Sequence, residues 1–374
     1  MNFFKHPNRA MGLDISDISL KLVQMAGGVS AGGVQAYSEL ILPKEIISGD
    51  KIINPNLLTQ TIKQAISSPK FGKVTTPYVI ASLPEAKCFV RVIQMPALSG
   101  KEAAEAIPWE AEAYIPIPIS QVYLDWLVLN PSESTGADAK MTVLITAAPK
   151  DYVDGLVEVL KKAGLQPVAL EAESQATARS VVGRGTQETV LIADIDTVRT
   201  SLIIYEKDVL QFTSSLPIAG NMMTESIAKA LSLGFEEAEN LKRQVGVSEE
   251  TDQGTNIKVA SKVRKALVPI LDNLVAEIKN TIRFYEEHNG GGSRISKLFL
   301  VGGSSKLKHL PSFLHEKLTH ESEIVFALRS LPGIKVELGN PWVNVLQKGQ
   351  TPPMSRENSL SFATAIGLSM RETE

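Results

Sequence analysis

MGLDISDISLKLVQM, residues 11–25, and TVLIADIDTVRTSLIIY, residues 189–205, follow one plan: an apolar strand ending in Asp-Ile, a short polar turn, and a second apolar strand. Asp14 and Asp194 stand at matching places in the two stretches. A pattern that restarts in this way implies two related halves. A third element follows late in the chain, where ISKLFLVGGSSKLKHLPSFLHEKL (295–318) reads as a strand, a Gly302-Gly303-Ser304-Ser305 turn and a helix. Such a turn lets backbone approach a ligand closely and points amide groups at it. The 374 residues exceed the size at which one hydrophobic core usually stops growing, so two lobes are expected.

Composition narrows the function classes. Hydrophobic residues make up 44% and charged residues 21%, ordinary globular usage. The formal net charge of −3, with both signs interspersed, offers no basic surplus for a phosphate backbone, which argues against nucleic acid as a partner. A single cysteine, Cys88, rules out an internal disulfide framework and fits a reducing compartment. No apolar run reaches signal-peptide or membrane-span length, and SFATAIGLSMRETE at the C-terminus lacks a basic amphipathic face. A cytoplasmic chain is therefore expected, held at a membrane through another protein rather than inserted directly.

Between the two hairpins the texture changes. Leu58, Ile62, Ala65 and Ile66 mark a helix over 56–66, and TPYVIASL supplies a buried strand. From Pro84 the chain reads as a small α/β insert: CFVRVIQMP as a strand, an acidic helix from Ser99 to Tyr114, an IPIPI break, and VYLDWLVL as a strand. The polar stretch from Asn130 to Lys140 is a loop by composition. MTVLITAAP returns to strand, and Asp151 to Lys162 forms a helix whose stop is Gly164. After the second hairpin, helices are expected over 221–233 and around 235–245, then a long one over 262–287 that Pro269 kinks or starts.

The ordered set of strand–Asp hairpin, second strand–Asp hairpin and late GGSS turn resembles the phosphate 1, phosphate 2 and adenosine motifs of the actin, FtsA and heat-shock chaperone superfamily. The insert, with its Ile-Pro-Ile-Pro and Leu-Asp-Trp elements, resembles the FtsA-type extra subdomain in its PilM form, as do PIAGNMMTESIAKALSLGFEEAENLKR and the ending NSLSFATAIGLSMR. The resemblance to the PilM family covers nearly the whole chain. It implies an α/β, actin-like (ribonuclease H-like) two-lobed fold with an FtsA-type inserted subdomain. The expected division is 1–83 as the first part of lobe 1, 84–142 as the insert, and 143–186 as the continuation of lobe 1. Residues 187–216 then form the core of lobe 2, 217–292 its helical part, 293–350 its core with the adenosine motif, and 351–374 a helix returning to lobe 1.

The resemblance also implies a function: a cytoplasmic adaptor of a type IV pilus or related assembly platform. Such an adaptor binds the N-terminal tail of a PilN-like inner-membrane protein and joins it to pilus assembly ATPases. It places Gly12, Asp14, Ser16, Ser19 and Lys21 in phosphate 1, and Asp194, Thr197 and Thr200 in phosphate 2. Glu239, Lys242 and Arg243 fall where the superfamily meets ribose and adenine, and Gly302, Gly303, Ser304 and Lys306 form the adenosine turn. Asp14 and Asp194 would hold Mg²⁺ through water, since that ion keeps most of its hydration shell. ATP with Mg²⁺ is thus the cofactor implied.

The family pattern has a glycine after each Asp-Ile, whereas this chain has Ser16 and Asp196, with Asp17 next to the first. Up to two extra carboxylates would face a triphosphate. At about 4 Å two like charges repel by roughly 1 kcal/mol in water and about 4 kcal/mol at a protein-surface dielectric. Three offsets are open: carboxylates turned to solvent, carboxylates recruiting Mg²⁺, or compensation by Arg199. The adaptor reading therefore stands beside two alternatives, an ATP-binding switch or weak ATPase and a filament former, with the glycine losses arguing against a kinase. Cys88 reads as a small buried hydrophobe. His6, His288, His309, His315 and His320 have no metal-ligand spacing. Trp109 and Trp126 either line a peptide groove or pack in the core, the commoner fate of tryptophan.

Overall fold

The computed structural model describes residues 10–27, 33–49, 51–129, 139–247, 257–288, 294–320, 333–346 and 350–371. Most of the expected 130–140 loop and of the glycine-rich 289–294 connection, together with His6, lies outside the described residues.

β1 (Met11–Ile15), β2 (Ser19–Met25) and β3 (Val34–Ile41) form an antiparallel meander. Every residue of β1 and β2 is buried, so these strands lie in the middle of a covered sheet, and their near-continuous apolar run follows from that. A short ribbon of β4 (Ile47–Ser48) and β5 (Lys51–Ile52) leads to α1 (Pro55–Ser67). The Asn54 side chain caps α1 by accepting from Leu57 N at 3.0 Å, and Pro55 fits its first turn. β6 (Phe71–Gly72) edges the sheet beside β3, and β7 (Tyr78–Leu83) lies parallel to β1.

The insert follows: β8 (Phe89–Pro96), α2 (Gly100–Glu112), β9 (Val122–Val128) and β10 (Lys140–Pro149), with sheet order β8-β10-β9, so its sheet runs past the expected end at 142 because β10 pairs with both other strands. A capping box opens α2, where Glu102 accepts from Ser99 N at 3.0 Å. Its apolar stripe of Ala103, Ile107 and Ala111 packs on Ile93, Val143 and Ile145 of the sheet. Trp109 is two residues from Ile107, on the opposite face of α2, and is 77% exposed; Trp126, on edge strand β9, is also exposed. Core packing is thereby excluded for both. Cys88 is buried and free, as its apolar setting predicts.

Lobe 1 continues with α3 (Lys150–Lys162), β11 (Gln166–Ala172), which adds in parallel to β7, and α4 (Glu173–Val181). β12 (Thr189–Ile195), β13 (Thr200–Glu206) and β14 (Val209–Leu216) then repeat the antiparallel meander. α5 (Gly220–Leu231), α6 (Phe235–Val245) and α7 (Ile257–His288) follow. α7 carries Pro269 inside it, so the proline does not mark its start. β15 (Ile295–Val301) lies parallel to β12, and β16 (Lys335–Leu338) parallel to β15. α8 (Leu310–Thr319) stands between them in sequence, and α9 (Arg356–Ser359) and α10 (Ala363–Ser369) close the chain.

Two sheets therefore share one topology: β3-β2-β1-β7-β11 in the first lobe and β14-β13-β12-β15-β16 in the second. The fold is α/β and actin-like, and the repeat read from the two Asp-Ile hairpins is real in three dimensions. Each half has its own core, with Leu13, Leu22, Ile62 and Leu160 in one and Leu191, Leu202, Leu271 and Leu298 in the other. A third cluster joins Leu144 of the insert, Ala178 of α4, Ile192 and Ile203 of the second sheet, and Ala363 of α10. α4 and α10 therefore lie where the lobes meet.

Candidate functional site

The β1–β2 and β12–β13 turns face each other across a cleft lined by Asp14, Ser16, Asp17, Glu173, Asp194, Asp196, Thr197, Arg199 and Thr364, among others. The turns have equal length and close the same way: Ser16 N donates to Ser19 O at 2.9 Å, and Asp196 N to Arg199 O at 3.0 Å. Neither Ser16 nor Asp196 is among the described residues with positive φ. The backbone of these turns thus has no need of glycine, and their glycine losses matter through the side chains alone. Ser16 uses its hydroxyl to brace the first turn, 3.0 Å from Ser19 Oγ.

Asp14 ends β1 opposite Lys21 of β2. Its Oδ1 accepts from Ser82 Oγ at 3.0 Å, and the same hydroxyl accepts from Ile15 N at 3.1 Å. Burial raises the Asp14 pKa, Lys21 and Ser82 work against that, and Asp196 adds to it. Lys21 is buried, with Nζ donating to Ser19 Oγ at 2.9 Å. Burial opposes its charge, but Asp196, Asp14, Glu39 and Asp194 outweigh that and leave its pKa raised. Asp194, in register with Ser201 where Asp14 has Lys21, lacks the matching cation and is pushed up to about 7 by burial, then by Asp196 and Asp14. Glu173, at the start of α4, is pushed well above the carboxylate range by burial and by Asp14. One buried ammonium, that of Lys21, therefore stands beside a cleft lined by five carboxyl groups.

The late glycine turn closes over this cleft. Gly302 has φ +85°, and a Cβ there would lie 2.5 Å from Asp194 Oδ1, so glycine is required both by conformation and by the approach of the carboxylate. Gly303 to Lys306 form a single 3₁₀ turn, and α8 begins only at Leu310. The turn was expected to open a helix; instead its amides do not sit at an α-helical N-terminus. Ser304 Oγ donates to Asp196 O at 3.0 Å, as does Gly220 N, and this ties together the second hairpin, α5 and the glycine turn. Lys306 lies near Glu39, Lys21 and Arg243, and burial, partly offset by Glu39 and Glu357, lowers its pKa.

Glu239, Lys242 and Arg243 come together on α6 but are engaged with one another. Glu239 accepts from Thr224 at 2.5 Å and pairs with Lys242 and Arg243, each at 2.7 Å. Burial opposes its charge, but these three partners hold it down at about 2. Lys242 is buried and also donates to Gly220 O at 3.0 Å. Two other positions face elsewhere. Thr200 donates to Ile218 O, and a Cβ on Gly12 would lie 2.2 Å from Ala365 O of α10. Gly12 is therefore explained by helix packing against β1. Thr197 lines the cleft.

Sequence reading missed four groups: Glu173 and Thr364, which line the cleft, and Ser82 and Thr177, which hydrogen-bond its aspartates Asp14 and Asp194. Glu173, Ser82, Thr177 and Thr364 come from α4, β7 and α10; Thr177 Oγ1 lies 3.4 Å from Asp194 Oδ2 and 2.9 Å from Thr364 Oγ1. No local pattern marks them in one sequence, because each stands on an ordinary strand or helix. Among the described residues, no group of three or more His, Cys, Asp or Glu is placed to hold a metal directly, and no helix is long and apolar enough to cross a membrane.

The fold is shared with known proteins. The chain is similar over 98% of its length, and 98% of the other chain, to the solved structure described as "PilM-PilN type IV pilus biogenesis complex", with a TM-score of 0.78 and 27% identity. Likeness of fold extends to EutJ of Carboxydothermus hydrogenoformans, with a TM-score of 0.54 at 13% identity and coverage of 97% and 90% of the two chains. It also reaches AMPPNP-bound MreB5 of Spiroplasma citri, at 0.53 and 12%, covering 96% and 94%. Among curated proteins, cell division protein FtsA of Neisseria meningitidis and of Pseudomonas aeruginosa are each 23% identical over 64% of this chain, spanning 56% and 61% of their own lengths. A family profile described as "Type IV pilus assembly protein PilM" matches residues 12–373. With that match over nearly its whole length, the chain belongs to the PilM family of type IV pilus assembly proteins.

Proposed function

We propose that this protein is an actin-like adaptor of a type IV pilus or related assembly platform. In this reading it binds the N-terminal cytoplasmic tail of a PilN-like inner-membrane protein and is held at the membrane by that partner. The observation that carries the reading is the end-to-end structural correspondence with the PilM–PilN complex. A tail of this kind binds in extended or strand-forming conformation, where main-chain hydrogen bonds give affinity and side-chain pockets give specificity. The test is titration of the protein with synthetic N-terminal peptides of the PilN-like protein encoded beside it. Saturable binding is expected; its absence with every such peptide overturns the adaptor reading.

A second reading, an ATP-binding switch or weak ATPase, is favoured by Lys21 beside Asp14 and the Gly302–Gly303 turn beside Asp194, the two aspartates lining one cleft. ATP bound there with Mg²⁺ would supply a polyphosphate whose charge Lys21 and Lys306 offset. Asp14 and Asp194 would orient the hydrated ion. Asp196 adds negative charge at the same place, so a triphosphate without its metal does not suit this cleft.

A further inference from the structure

The two glycine-substituted turns do more than crowd the cleft. Arg199 Nη2, on the lobe 2 turn, donates to Asp17 Oδ2, on the lobe 1 turn, at 3.3 Å. The partners are 182 residues apart in sequence and belong to different sheets. Their side chains keep 23% and 18% of their surface, so the pair is partly withdrawn from water but still reached by dissolved ions.

Both partners are presented by stiff supports. The Ser16–Ser19 turn is braced by backbone and hydroxyl hydrogen bonds. The Asp196–Arg199 turn is closed by its own hydrogen bond, and its Asp196 carbonyl is gripped by Gly220 and Ser304. A second attraction runs across the same gap, because Asp196 of lobe 2 is the foremost of the carboxylates that keep Lys21 of lobe 1 charged. Every one of these contacts is made by the chain itself.

We propose that the Asp17–Arg199 ion pair is a clasp built into this chain, holding the two lobes closed across the cleft without any nucleotide between the turns. The clasp takes the place of the cross-cleft bridging that a bound Mg²⁺-polyphosphate provides between two such hairpins. Closure becomes a property of the apoprotein. The partner-binding state then requires no nucleotide to assemble it, although the clasp itself stands whether or not the adaptor reading holds.

The test is hydrogen exchange on the full chain, without nucleotide or partner, read on peptides covering residues 14–20 and 194–201. Arg199→Ala and Asp17→Asn should each speed exchange in both segments by about two- to tenfold, in the range of a partly buried ion pair. The exchanged pair Asp17→Arg with Arg199→Asp should restore protection, which a merely structural role for either side chain would not allow. Unchanged exchange in both single variants, or no restoration in the exchanged pair, overturns the clasp. Should the variants fail to fold, the wild-type protein decides the matter. Raising salt from about 0.05 to about 1 M shortens the screening length to about 3 Å and should speed exchange in both segments, whereas salt-independent exchange there refutes the proposal.

Discussion

Replacing Asp194 by asparagine measures what burial does to the second hairpin. Asp194 is pushed from 3.8 up to about 7 by burial, then by Asp196 and Asp14, against the pull of Lys21 and Thr177. An acid with a raised folded pKa binds its proton more tightly folded than unfolded. Its stabilising contribution is complete below the unfolded value near 4 and is lost as pH rises through the folded value near 7. The full gap corresponds to a penalty of about 4 kcal/mol at alkaline pH, an upper bound because Asp194 keeps some contact with water. Between about pH 5.5 and about pH 8.5 the penalty grows by about 2 kcal/mol. Asparagine cannot ionise, so the stability of Asp194→Asn relative to wild type should rise by that amount over the same span. Urea unfolding of both proteins at the two pH values, followed by circular dichroism, gives the double difference and cancels the titrations common to both. An identical difference at the two pH values would show Asp194 ionised throughout and refute the reasoning.

Glu239→Gln removes the charge that Lys242 and Arg243 share, and should cost about 3 kcal/mol at neutral pH by leaving Lys242 buried without its counter-charge. Because Glu239 is held at about 2 against an ordinary 4.5, its contribution is present above about pH 4.5 and fades as pH falls towards 2. The wild-type advantage in urea unfolding should therefore shrink over that acid range. For nucleotide, Asp196→Gly should bind Mg-ATP about tenfold or more tightly than wild type in calorimetry, since relief of about 1.4 kcal/mol of repulsion is a factor of ten. Tight wild-type binding left unchanged by the substitution would contradict the inhibitory role given to Asp196.

The fold was legible in the sequence because its signals are local. Two Asp-Ile hairpins and a strand-to-glycine turn pointed to the two-lobed plan; strand alternation and turn chemistry need only neighbouring residues. The insert helix was legible through its Ser99–Glu102 capping box for the same reason. Lys21 beside Asp14 was readable too, two residues outside a turn of known length.

What the sequence did not contain was distance between remote parts. Glu173, Ser82, Thr177 and Thr364 reach the cleft or its aspartates from remote elements; Thr177 and Thr364, which touch, are 187 residues apart. Gly12 was expected in a phosphate motif, whereas packing against α10 explains it. Asp17 was legible as an extra negative charge and Arg199 as an offset to it; their meeting across the cleft was decided by two sheets of equal topology setting their turns face to face. Periodicity is written along the chain, whereas Coulomb energy and burial depend on separations in space that only packing of the two lobes creates.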